Sequence, residues 1–143
     1  MAKKYPYKKS SGKEAAIKRE YARVCKKIDQ DMMEDFGYIR CGSCHMNVTG
    51  KSWGHSHNLP KGRFKALETD PRNITPRCQD WHDHKGCHEK LDKMNIEEIV
   101  KFKDFEELME YRFDMAPEEY NKMVTAILEA GLESKINTNY YED

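Results

Sequence analysis

Ile17, Tyr21, Val24, Ile28 and Met32 recur at steps of four and three, the spacing of one face of an α-helix, and Phe36 prolongs the stripe. Ser11-Gly12-Lys13-Glu14 reads as a capping box at its start, and Gly37 suits a left-handed stop. Cys25 lies beside the stripe and is expected to be a small core residue. Tyr38-Ile39-Arg40 is short and extended. Lys51 to Leu59 predicts a strand ended by Pro60, and Pro60 to Arg63 a loop. Residues 66–76 are turn-rich, with Thr69-Asp70-Pro71 as the signal. A further helix is expected from Gly86-Cys87 towards Lys93.

The C-terminal part reads as helical. Asn95-Ile96-Glu97-Glu98 and Asp104-Phe105-Glu106-Glu107 look like capped starts. Phe105, Leu108, Met109 and Phe113 form a short apolar face. Pro117 fits a first helical position, and Tyr120, Met123, Val124, Ile127 and Leu128 form a last face closed by Gly131. The Met and aromatic stripes are most simply core. No internal repeat is visible.

Composition changes this picture in one respect. At 38% hydrophobic and 35% charged residues, 143 residues make one domain with a modest core, which a structural metal would supplement. No apolar run is long enough for a membrane span, and residues 1–6 lack an apolar signal core. The expected setting is therefore intracellular, where thiols stay reduced and five cysteines point to metal or core roles. The formal charge is zero but unevenly spread. Residues 1–27 carry ten Lys/Arg against two Asp/Glu, and residues 89–143 seven against fifteen. A basic arm that grips phosphate and an acidic tail that faces a protein partner would use that layout.

The chemistry is concentrated between these ends. Cys41-Gly42-Ser43-Cys44 is a knuckle that aims two sulfurs at one ion, and Cys78 with Cys87 supplies a second pair. Four thiolates suit a tetrahedral structural Zn2+. The second pair has eight intervening residues, so Gln79 to Gly86 is an insertion that loops out, or else His82 or His84 replaces Cys87 as the fourth ligand. Between the pairs lie Gly54-His55-Ser56-His57-Asn58-Leu59-Pro60 and Asp70-Pro71-Arg72-Asn73-Ile74-Thr75-Pro76. On one strand His55 and His57 point to the same face.

These pieces in this order resemble the HNH endonucleases with their ββα-metal (His-Me finger) fold. The likeness covers about residues 38–93 and is carried by His57-Asn58-Leu59-Pro60, Asp70 to Cys78, and Cys87-His88-Glu89-Lys90. Within that family Gly54-His55, Lys61-Gly62-Arg63 and Asp70-x-x-Asn73 are most similar to phage recombination nucleases of the NinG/Rap type. The resemblance implies a small ββα-metal HNH core over 38–93 with a structural zinc. With the basic arm and helix over 1–37 and the acidic helical region over 94–143 read from charge and periodicity, the expected fold class is α+β. The resemblance also implies a metal-dependent DNA endonuclease acting on branched or recombination intermediates in the bacterial cytoplasm. His57 would be the general base, Asn73 would orient the His-bearing loop, and His88 would bind a catalytic Mg2+ or other divalent ion, with His55 as a second ligand.

The family often has Asp or His immediately before the base, where this chain has Ser56, so His55 and His57 could exchange roles. Counted without a gap, His82 falls where His88 is otherwise placed. Arg63, Lys65, Arg72 and Arg77 are the candidate phosphate contacts, and Trp53 is expected to be a packing anchor. Two other functions fit parts of the pattern: a zinc-stapled nucleic-acid-binding module without catalysis, and a phage packaging or regulatory factor docking a partner through its acidic helices.

Overall fold

The four-and-three stripe forms one continuous helix, α1 (Gly12–Phe36), in the computed structural model, which describes residues 12–51 and 54–136. Residues 1–10 of the basic arm, the Ser11 cap and Trp53 lie outside those residues. Gly37 ends α1 at φ 78°, a backbone conformation that costs glycine nothing. After α1 come two short strands, β1 (His55–His57) and β2 (Ile74–Pro76), then α2 (Cys87–Asp92), α3 (Ile96–Ile99), α4 (Phe105–Met115) and α5 (Pro117–Glu129). Short 3-10 turns lie at Lys65–Leu67, Pro71–Asn73 and Glu133–Lys135. The protein is thus α+β, with a two-stranded antiparallel sheet in which His55 faces Pro76, Ser56 faces Thr75 and His57 faces Ile74.

Some elements are shorter or less regular than their sequence predicts. The strand expected over Lys51 to Leu59 is confined to His55–His57 among the described residues. Its partner is bounded by the 3-10 turn ending at Asn73 and by Pro76, so only three residues find a facing strand. Asn95 and Asp104 stand at the starts of α3 and α4, but neither side chain caps its helix. Asp104 is instead engaged by Ser43 Oγ at 2.9 Å and Arg77 Nη2 at 2.9 Å. A buried guanidinium holds a carboxylate more strongly than a neutral backbone amide does. Phe113 and Leu128, expected on buried faces, are 42% and 49% exposed among the described residues.

Apolar burial is split into three clusters, as a polar composition requires. The largest joins Cys41, Cys78 and Cys87 to Leu91, Ile99, Phe102, Leu108, Met109, Met123 and Ile127. The cysteine knuckle and the C-terminal helices therefore share one core. Val24, Cys25 and Ile74, flanked by Tyr21 and Ile28, fasten α1 to β2, so Cys25 is the core residue its position predicts. Leu59, Tyr111 and Ala116 hold the loop after β1 against α4.

Gly86 marks the tightest approach in this frame. A Cβ there would lie 2.3 Å from the Gln79 carbonyl carbon and 2.4 Å from its Cα, where backbone cannot yield cheaply. Gly86→Ala is expected to cost about 3 kcal/mol through overpacking and to loosen Cys87 from Cys78. Thermal denaturation with metal content measured in parallel checks this; an unchanged melting temperature would show that the two segments separate freely.

Candidate functional site

The four cysteines converge. The sulfurs of Cys41, Cys44, Cys78 and Cys87 all lie within 4.8 Å of one another. Cys41 and Cys44 sit on the turn closed by His45 N–H to Cys41 O at 2.9 Å and Cys41 N–H to Met46 O at 2.8 Å. Cys87 opens α2, and its N–H points at Cys78 Sγ at 3.3 Å. Residues 79–86 loop out as a separate small turn. Trp81 bridges His84, and Asp80 Oδ1 accepts Gly86 N–H at 2.7 Å. Cys87 therefore completes the sulfur group. His82 does not join it, and His84 approaches from outside, its Nε2 3.2 Å from Cys78 Sγ.

The chemistry of this group fits a metal ion. Cys41, Cys78 and Cys87 are buried and Cys44 half-buried, so charge on four sulfurs needs a cation to balance it. Hydrogen bonds from Cys78 and Cys87 hold the Cys41 thiol well below its ordinary value. The interaction with Cys41, which outweighs the opposite one with Cys87, leaves the Cys78 thiol pushed up to about 12. The same partners push Cys87 up as well. A cation at the centre would relieve that conflict among Cys41, Cys78 and Cys87.

The hairpin presents its histidines as alternation requires. Ser56 is fully buried and meets Arg77 Nη1 at 3.3 Å, while His55 and His57 are half-buried on the opposite face. His57 Nε2 is 2.9 Å from Glu68 O. A carbonyl only accepts, so Nε2 carries the proton and Nδ1 keeps the basic lone pair. The ring stacks on Tyr21 of α1, with centroids 5.5 Å apart and planes at 19°. His55 Nε2 donates to Asp29 Oδ1 at 2.8 Å, so Nδ1 is the nitrogen facing away from that carboxylate. Thus α1 grips both imidazoles.

Asn73 continues the hairpin with its side chain. It is fully buried. Asn58 N–H donates to the Asn73 carbonyl at 2.8 Å. The Asn73 side-chain amide then accepts from Leu59 N–H at 2.7 Å and donates to Leu59 O at 3.2 Å and Leu67 O at 3.1 Å. A side-chain amide carries the same acceptor and donor as a peptide unit, so it pairs with Leu59 where the strand itself has ended.

His88 stands at the start of α2, its Nε2 3.0 Å from Asp92 Oδ2. Its Nδ1 is buried, with no hydrogen-bond partner among the described residues. His55, His57 and His88 line one cleft of about 570 Å³, with Asn58, Lys61, Arg63, Asp92, Arg112, Glu119 and Lys122 among its walls. The imidazoles do not form a preassembled metal cage. Among the described residues, the cysteines alone bring three or more donors together.

Of the four arginine and lysine residues expected to meet phosphate, Arg63 alone lines this cleft. Lys65 is exposed on its 3-10 turn. Arg72 reaches Asp114 at 3.0 Å in a neighbouring hollow. Arg77 is not a surface residue: 1% exposed, it bonds Ser43, Ser56 and Asp104, which removes it from any phosphate's reach. The cations that sequence reasoning did not assign are Arg112 and Lys122, from α4 and α5. Both stand inside helices rich in acidic residues, and no local pattern distinguishes them. Burial alone would raise the Glu119 carboxyl, but hydrogen bonds from Lys122 and Arg63 outweigh it and hold the group below its ordinary range.

No protein-family model matches this chain, and comparison with curated proteins and with solved structures gives no match. Among the described residues no helix is long and apolar enough to cross a membrane.

Proposed function

We propose that this chain is a metal-dependent endonuclease with an HNH-type site, hydrolysing DNA phosphodiester bonds. The observation that carries the proposal is the meeting of His55, His57 and His88 in one cleft, on a hairpin pinned by Asn73 and beside a four-cysteine centre. The sulfur centre takes zinc, which tethers α2 to the knuckle and so fixes His88 relative to the hairpin.

Hydrolysis needs a base for water, stabilisation of charge on the leaving oxygen and a fixed geometry. His57 Nδ1 is the base, because the Glu68 carbonyl commits Nε2 to donating. Asn73 holds the chain just after His57 so that the ring cannot swing out. His88, beside Asp92 on the cleft wall, and His55 are the residues that would hold a divalent ion, His55 through the nitrogen facing away from Asp29. When bound, such an ion supplies charge stabilisation at the scissile phosphate. One or two protein ligands suit Mg2+, which keeps several waters and takes others from phosphate. Branched or recombining DNA is the proposed substrate class, by the NinG/Rap likeness.

Incubating the full-length protein with supercoiled plasmid and with four-way-junction DNA tests this. Nicking or junction cleavage is expected with added Mg2+ or Mn2+ and none with a chelator selective for the added ion. Salt-sensitive DNA binding with no cleavage under any divalent metal would instead establish a binding module without catalysis.

A further inference from the structure

Two arginines are buried in this protein, and the structure treats them differently. Each nitrogen of Arg77 has a partner: Asp104 neutralises it through Nη2, and Ser43 and Ser56 accept from Nε and Nη1. Arg112 is 4% exposed, yet no carboxylate pairs with it among the described residues. Its one hydrogen bond there runs from Nη2 to the Asn58 carbonyl at 2.8 Å, and its Nε has no partner. A guanidinium carries five N–H donors in a planar fork. The nearby Glu119 carboxylate is already engaged by Arg63 and by Lys122 at 3.2 Å. Burial consequently lowers the Arg112 pKa to about 10, an unusual cost for a guanidinium.

An unpaired buried cation is destabilising unless an anion from outside completes it. Arg112 is placed to receive one. It lines the same cleft as His55, His57 and His88, and its bond to Asn58 ties it to the residue directly after His57. Lys61 and Lys122 stand on the same walls. We propose that Arg112 is the anion anchor of the cleft, its guanidinium taking a non-bridging oxygen of a nucleic-acid phosphate. Naming nucleic acid as the source of that phosphate rests on the nuclease proposal above; the anion site itself does not. The acidic C-terminal region then has a function in the cleft, since α4 delivers a cation that the hairpin lacks.

The test uses the full-length, metal-loaded protein labelled with 15N-arginine, with no divalent ion added, so that no cleavage occurs. The Nε–H signals of Arg112 and Arg77 are assigned through Arg112→Lys and Arg77→Lys. Inorganic phosphate is titrated against chloride at matched ionic strength, and a short DNA duplex is titrated separately. The Arg112 signal is expected to move saturably with both, with the Arg77 signal still. The duplex should act at a concentration about 100-fold lower, because neighbouring phosphates add contacts. In a binding assay, Arg112→Gln should weaken duplex affinity about tenfold and reduce the salt slope by about one. An Arg112 signal silent to both ligands, or one that moves no more than Arg77, overturns the anion site. Movement with phosphate but not with duplex overturns its assignment to nucleic acid. Plasmid cleavage, read separately, isolates the nuclease proposal: saturable movement without cleavage leaves Arg112 standing and removes the enzyme, and cleavage with a silent Arg112 does the reverse.

Discussion

His57→Ala is expected to lower the single-turnover cleavage rate by about 10³-fold, the middle of the range for a lost general base. The geometry makes the expectation specific. Nε2 of His57 is committed to the Glu68 carbonyl, so the substitution removes the Nδ1 nitrogen that remains to accept a proton. The fold should tolerate the change. His57 is half-buried, stacks on Tyr21 and bonds the Glu68 carbonyl, so the loss is one ring stack and one hydrogen bond, each worth about 1 kcal/mol. Melting temperature and bound zinc should stay close to wild type, which separates chemistry from stability. Added imidazole should restore part of the rate by entering the space the ring leaves. Cleavage within tenfold of wild type would remove His57 as the base, and the parallel measurement on His55→Ala would then show whether the neighbouring imidazole carries that role.

Loss of the sulfur-bound ion is expected to have the largest effect on folding. The purified protein should hold one zinc per chain, released stoichiometrically when a mercurial titrates the thiols. Cys41→Ser should abolish tight binding and with it cooperative unfolding of the knuckle, hairpin and α2. Structural zinc contributes roughly 10 kcal/mol or more of apparent binding free energy at neutral pH, against a net domain stability of about 5–15 kcal/mol. Three of the four cysteines lie in the same cluster as Leu108, Met123 and Ile127, so the C-terminal helices should also lose near-UV ellipticity while keeping much of their helical signal. Chelation of the wild type should reproduce the variant. A metal-free protein that melts as sharply and as high as the loaded one would show that apolar packing suffices without the centre.

Much of the site was legible because its signals are local. The two cysteine pairs announce a metal through residue type and spacing, and the sulfurs do meet. Alternation along three residues places His55 and His57 together and sends Ser56 inward. The Gly37 and Gly131 stops and Pro117 at the start of α5 follow from single-residue backbone preferences. Expectations that depended on a partner fared less well. Asp104 has the right identity and position for a cap, but a buried arginine from 27 residues earlier claims it. Strand length was overestimated because a strand extends only as far as its neighbour, and Pro76 ends that neighbour.

The sequence by itself therefore determined the pairing of the four cysteines that could hold a metal ion, the shared face of the two hairpin histidines and the helical character of both ends. Those properties depend on residue type and on repeat distances within a turn or a strand. Only the tertiary structure decided which charges are used and how. It buried Arg77 as a structural strut and left Arg112 on the cleft wall with no carboxylate pairing with it among the described residues. It also set Asp29 of α1 against His55 across 26 residues, and brought α4 and α5 round as a wall of the cleft. A long charged side chain reads the same in sequence whether it ends in water, in a salt bridge or in a cavity. Its environment is fixed by which distant elements pack around it, and no local spacing records that.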